Sequence, residues 1–208
     1  MNIKNLFKAP EDRGRKYDIL NEVLGAVTHG IGTGLAIAGL VVLIVTAAKT
    51  GDPMGITTYT IYGSSLVILY LFSTLYHSLI FTKARHVFQI FDHSSIFILI
   101  AGSYTPYSLV GVGGATGWWM FGIIWTLAIL GILYKIFYVG QNKIFDTILY
   151  IFMGWLVIFS GNPLYHTLGP TGFWLLVGGG VAYTFGALLY TMRNLPYIHV
   201  IWHLFVML

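Results

Sequence analysis

Thr58–Phe81 reads TYTIYGSSLVILYLFSTLYHSLIF and contains no Asp, Glu, Lys or Arg. A helix needs about 20 mostly apolar residues to cross the hydrocarbon core of a bilayer, so this stretch is long enough to span one. Its polar side chains are hydroxyls until Ser73-Thr74-Leu75-Tyr76-His77, where a serine and an imidazole stand four residues apart. That spacing puts both on one face of a helix. Ionisable groups inside a span are costly, and each marks a candidate site.

The rest of the chain has the same character. Of 208 residues, 57% are hydrophobic and 9% charged, and the mean hydropathy is +0.79. A soluble domain carries about 25% charged residues, so the composition is that of an integral membrane protein. Six full spans are expected: Leu24 to Ala48, Thr58 to Phe81, Val87 to Val110, Trp118 to Tyr138, Phe145 to Gly161 and Thr171 to Met192. A seventh starts near Pro196 and runs only about a dozen residues to Leu208, too short to cross alone, so it reads as truncated. Breaker-rich linkers separate the spans: Gly51-Asp52-Pro53, Gly113-Gly114, Gly161-Asn162-Pro163, Gly169-Pro170 and Asn194-Leu195-Pro196. The expected fold is all-α, a single seven-transmembrane-helix bundle over residues 1–208, with residues 1–21 as a polar N-terminal segment. That segment lacks the apolar core and cleavage site of a secretory signal.

Basic residues set the direction. Lys4, Lys8, Arg13, Arg15, Lys16, Lys83, Arg85, Lys135, Lys143 and Arg193 fall on one side, and Lys49 alone on the other, ten of the eleven cations together. The positive-inside rule places the N-terminus in the cytoplasm. The formal charge of +4 therefore belongs to membrane-flanking loops and implies no nucleic-acid partner. Trp118, Trp119 and Trp174 read as interfacial anchors on the outer side.

Orientation then gives depth. His77 precedes Lys83 by six residues, Asp92 follows Arg85 by seven, and His199 and His203 follow Arg193 by six and ten. At the helical rise, all four lie roughly 9 to 15 Å inside the cytoplasmic ends of spans 2, 3 and 7. There is no cysteine, which leaves histidine, carboxylate and water as metal ligands. Three imidazoles, His77, His199 and His203, form a ligand set for zinc that keeps a fourth position for water. Asp92 suits holding that water or moving its proton, and Ser73 suits polarising a substrate carbonyl. The competing readings are interhelical hydrogen bonding for the histidines and serine, and structural pairing of Asp92 with His93 or His86. Glu22 and His29 enter the first span from the same side, as support for the site or as packing polarity.

Glu22-x-x-Gly25-x-x-Thr28-His29, Ser73-x-x-x-His77, Asp92-His93-Ser94, Ala101-Gly102-Ser103-Tyr104-Thr105-Pro106 and His199-x-x-Trp202-His203 together resemble the bacterial hemolysin III proteins. These belong with the progestin and adipoQ receptors and the adiponectin receptors, and are more distantly similar to alkaline ceramidases. The resemblance runs along nearly the whole chain. It implies a seven-helix bundle in a bacterial plasma membrane with an internal zinc held by His77, His199 and His203, and Asp92 on the zinc's water. Gly25 departs from the pattern, in which asparagine is usual. Three functions follow from it: a zinc-dependent hydrolase of membrane lipids (ceramide-like amides, then fatty-acyl esters), a receptor-like regulator of lipid composition with structural zinc, and a pore-forming cytolysin. The last fits the residues worst, because secreted pore-formers are made soluble. A structural zinc would need a fourth protein ligand, so Asp92 as direct ligand separates the first two.

The orientation can be tested directly, because the chain has no native cysteine to label. In intact cells Thr167→Cys should react with an impermeant maleimide, and Thr82→Cys only after lysis. The opposite pattern would invert the bundle.

Overall fold

The computed structural model describes residues 13–192 and 194–208, and among these it is helical without a strand. The first twelve residues, with Lys4 and Lys8, and also Arg193 lie outside the described residues. The helices are α1 (Arg15–Thr50), α2 (Pro53–Ser78), α3 (Arg85–Pro106), α4 (Gly114–Tyr138), α5 (Lys143–Trp155), α6 (Gly161–Tyr190) and α7 (Ile198–Met207). A π-helical turn, Tyr107–Val112, prolongs α3 beyond Pro106, and a 3-10 turn, Leu156–Ser160, joins α5 to α6. Five continuous stretches are long and apolar enough to cross a membrane: Arg15–Thr50, Pro53–Ser78, Arg85–Val112, Gly114–Tyr138 and Lys143–Tyr190. α7 is apolar but has only 10 residues.

Local chemistry sets the boundaries. Gly51 closes α1 in the left-handed conformation at φ 67°, which glycine adopts without the Cβ penalty. Asp52 then caps α2, accepting from the backbone N–H of Met54 at 3.0 Å and of Gly55 at 2.9 Å. Pro53 fills the first helical position, where its missing N–H costs nothing. Asn142 caps α5 in the same way, accepting from the N–H of Phe145 at 3.1 Å.

The fifth stretch corrects the expectation of a loop over Gly161 to Pro170. It is helical there, since Pro163 falls in the first turn of α6, where an N–H has no partner to lose. The 48-residue stretch nevertheless reverses direction, breaking at the 3-10 turn and again at Gly169, where φ is 66° and ψ 173°. The reversal is visible in its side chains. Trp155 donates through Nε1 to the Thr184 hydroxyl at 2.9 Å, and Lys143 lies 4.8 Å over the Tyr190 ring. At the first break the Tyr104 hydroxyl of α3 sits 2.8 Å from the carbonyl oxygens of Met153 and Gly154 and accepts the Val157 N–H at 2.6 Å. A side chain thus serves backbone groups that the helix releases.

The bundle is polar within and apolar without. Val23, Val27, Ile31, Leu35, Val42 and Val45 of α1 are exposed, whereas His29, Thr58, Ser65, Ser73, His77 and Asp92 are buried. That inversion suits a lipid surround, where apolar side chains need no cover and polar groups must find partners inside. One core joins Phe97, Ala101 and Tyr104 of α3 to Ile124 and Ala128 of α4 and Tyr150 and Met153 of α5. A smaller one, Ala36 with Leu69 and Tyr70, joins α1 to α2.

Close approach of α4 to the π-helical turn rests on Gly117, where an added Cβ would stand 2.1 Å from the Ser108 carbonyl oxygen. Backbone cannot move aside as a side chain tip can. Gly117→Ala should therefore destabilise the full-length protein by about 1–3 kcal/mol, read as a lower thermal midpoint in detergent. Gly122→Ala, on the same helix with nothing within 4 Å of the new atom, should stay within about 0.5 kcal/mol. Equal midpoints for the two variants would contradict this packing.

Candidate metal centre

α7 supplies two imidazoles because His199 and His203 are one helical turn apart, and α2 supplies the third. One ring nitrogen from each of His77, His199 and His203 lies within 4.8 Å of the others. His77 and His203 are buried and His199 half-buried. The ring centroids are 4.9 Å apart for His77–His199 and His77–His203, and 4.8 Å for His199–His203. The three expected metal ligands are thus brought together from positions far apart in the chain.

Partners at the back of two rings decide which nitrogen faces inward. His77 Nδ1 lies 2.7 Å from Glu22 Oε2, whose carboxylate accepts its proton. His77 Nε2 is then left buried without a hydrogen-bond partner. Glu22 is itself fixed by Arg85, the first residue of α3, at 2.5 Å through Oε1. One carboxylate of α1 therefore ties α2 to α3. Gly25, one turn further along α1, lets that helix close on the imidazole: a Cβ there would sit 2.9 Å from His77 Cγ and Nδ1.

His203 Nδ1 lies 3.1 Å from the Thr28 hydroxyl. Thr28 donates its own proton to the Leu24 carbonyl at 2.8 Å, so it accepts from His203 Nδ1–H and leaves Nε2 free for a metal. Such outer partners hold the tautomer and orientation of metal-binding histidines. A buried ring nitrogen without a partner and backed by a carboxylate, as at His77, beside two further imidazoles is what a cation requires, and the residues present fit one. His29 stacks on His203, with centroids 3.6 Å apart and planes 11° from parallel. Both its ring nitrogens are buried without partners, which places it closer to the triad than its sequence position suggests.

Ser73, Asp92, His29, His199 and His203 border one cavity of about 40 Å³. The Ser73 hydroxyl is buried without a partner. Asp92 is buried, with its Oδ2 3.9 Å from His93 Nε2. That separation is too long for a hydrogen bond, so the expected alternative pairing of Asp92 with His93 is at most a loose ion pair. The structure thus gathers all five sequence-derived site residues in one region, where three rings can hold a metal and a carboxylate and a hydroxyl stand near them.

Sequence reasoning missed two parts of this region. Thr28 and His203 are 175 positions apart, and no periodicity connects them. Lys135 reads as a flanking loop cation, yet it is fully buried and ion-paired with Asp146 of α5, and Asp146 borders the same cavity. The available signal was two opposite charges flanking the short α4–α5 connection.

The model of the family described as Haemolysin-III related matches residues 17–208. The chain is 47% identical to Hemolysin-3 of Bacillus cereus over 189 residues, covering 91% of this chain and 86% of that protein. It is 44% identical to the Hemolysin-3 homolog of Bacillus subtilis (strain 168) over 191 residues, covering 92% and 90%. It is also 28% identical over 221 residues to the human Monocyte to macrophage differentiation factor, covering 99% of this chain and 89% of that one. No solved structure matches it.

Proposed function

The chain belongs to the haemolysin-III-related family of membrane proteins, and on that premise we propose that it is a zinc-dependent hydrolase of acyl lipids. In this reading the bundle crosses a bacterial plasma membrane seven times, with its N-terminus and the site on the cytoplasmic side. The two arms of the Lys143–Tyr190 hairpin are the fifth and sixth crossings, and α7 begins the seventh. The observation that carries the reading is a set of three histidines, His77, His199 and His203, beside a cavity that Asp92 and Ser73 also border. Three protein ligands leave a position open, which is the habit of a catalytic site.

Zinc, when bound, supplies Lewis acidity that activates water and polarises a carbonyl near neutral pH. The protein's own residues do the rest. Asp92 takes a proton from the attacking water and returns it to the departing nitrogen or oxygen as the acyl bond breaks. Ser73 donates its hydroxyl to the developing oxyanion. Glu22 keeps His77 Nδ1 occupied, so that only Nε2 is offered. The products are a fatty acid and an amine or alcohol, with ceramide-like amides the leading substrates and esters next.

A second reading, a lipid-responsive regulator in which the metal is structural, is favoured by the size of the cavity. About 40 Å³ holds roughly two or three water-sized groups, so an acyl carbonyl enters only if helices part. The two readings differ in whether Asp92 moves protons.

Purified protein should carry one zinc per chain by elemental analysis. His77→Ala, His199→Ala and His203→Ala should lose it, Asp92→Ala should largely keep it, and Glu22→Gln should weaken it by about 10- to 100-fold. Stoichiometric zinc in the His199→Ala, His203→Ala double variant would remove the site.

Activity is tested on a panel of ceramides, phospholipids and acyl esters, with released fatty acid measured by mass spectrometry. Asp92→Asn should release at least about 100-fold less than wild type while retaining zinc. Equal release from the two would favour the regulator.

A further inference from the structure

The buried ion pair beside the metal centre has an acceptor to spare. Lys135 of α4 and Asp146 of α5 are 0% and 5% exposed, and Lys135 Nζ meets Asp146 Oδ2. The second oxygen, Oδ1, is buried without any hydrogen-bond partner, and Lys135 Nζ has none beyond this ion pair. A carboxylate takes up to about four hydrogen bonds, and leaving a buried acceptor unmet is costly. Asp146 borders the cavity that reaches Ser73, Asp92, His199 and His203. The nearby hydroxyl of Thr147 donates to the Lys143 carbonyl at 2.8 Å, so its proton is not offered to Asp146 Oδ1.

Three properties narrow what would. The missing partner must be a hydrogen-bond donor. It should be neutral, because Lys135 already balances Asp146, and Lys143, over the Tyr190 ring at 4.8 Å, adds a further cation to the same cavity wall. The group that meets Oδ1 should also be small, since the cavity of about 40 Å³ admits groups of water size and the lipid behind it, like the acyl carbonyl above, enters only where helices part. A hydroxyl meets all three conditions.

We propose that the Lys135–Asp146 pair is a headgroup subsite, in which Asp146 Oδ1 accepts a hydrogen bond from a free hydroxyl of a neutral acyl lipid whose chain approaches the histidines. The inference rests on the lipid-binding reading of the site above, and it names the feature of the lipid that the site selects. The pair is rigid because both charges are buried and each holds the other, so the acceptor is fixed in place before a lipid arrives.

Binding is measured on the full-length, zinc-loaded protein in detergent by native mass spectrometry. The probes are a dialkylglycerol with a free terminal hydroxyl and the same lipid as its O-methyl ether, neither of which has a carbonyl to cleave. Wild type should bind the hydroxyl lipid about tenfold more tightly, the scale expected when one buried acceptor goes unmet. Lys135→Met with Asp146→Leu removes both charges together, a replacement that buried pairs tolerate. It should bind the two probes alike at unchanged zinc content. Equal binding of the two lipids by wild type would mean that the position takes only water, and it overturns the proposal without any variant. A hydroxyl preference that survives in the double variant overturns it as well. Because binding and turnover are read separately, a preference without fatty-acid release defeats the hydrolase reading and not this one.

Discussion

The Glu22 carboxylate joins three helices, and the site depends on it. One oxygen takes the Nδ1 proton of His77 on α2 and the other takes Arg85 at the start of α3. Glu22 and Arg85 are partly exposed beside a cleft shared with Arg15 and Asp18, whereas the His77 ring behind them is buried, so the carboxylate links the open edge of the bundle to its interior. Removing any one of the three would leave a charge or a ring nitrogen stranded. The glycine one turn along α1 matters as well, since in this chain an added Cβ would stand 2.9 Å from the His77 ring. Small residues at crossings and polar residues as links are how helices associate where the hydrophobic effect cannot drive them together.

Much of this was legible in the chain. Hydropathy located most of the helices, and the distances from Lys83 and Arg85 put His77 and Asp92 near the facing ends of α2 and α3, because rise per residue converts sequence distance into position along a helix. The i, i+4 spacing of His199 and His203 put both on one face. Lateral arrangement was not legible. Periodicity tells which face of a helix is polar and not which helix it meets, so Thr28 behind His203 and Asp146 beside the cavity came only with the fold. Lys135 misled for a physical reason: a cation at a helix end reads as a flanking charge until its buried partner is known. The segment at Gly161–Asn162–Pro163 misled too, since breakers serve equally well in the first turn of a helix.

The inverted burial of the bundle accounts for its tolerance of so many interior polar groups. Hydroxyls of Thr28, Thr33, Thr60, Thr74 and Thr105 return their protons to carbonyls one turn back on their own helices, so they add polarity without requiring a partner on another helix. Among the buried polar groups without hydrogen-bond partners, those of Ser73, His29, His77 and Asp146 belong to the candidate site and its cavity wall, while those of Ser94 and Ser108 do not border it.

The division of the histidines between α2 and α7 has a consequence for how the protein is made. Synthesis delivers His77 early and His199 and His203 more than a hundred residues later. A nascent bundle that has inserted α1 to α6 owns one of the three rings and cannot hold an ion with them. On the zinc-binding reading proposed above, metal capture would be timed by elongation: it would mark chains that have threaded α7 into place beside α1 and α6, and distinguish them from those that have not.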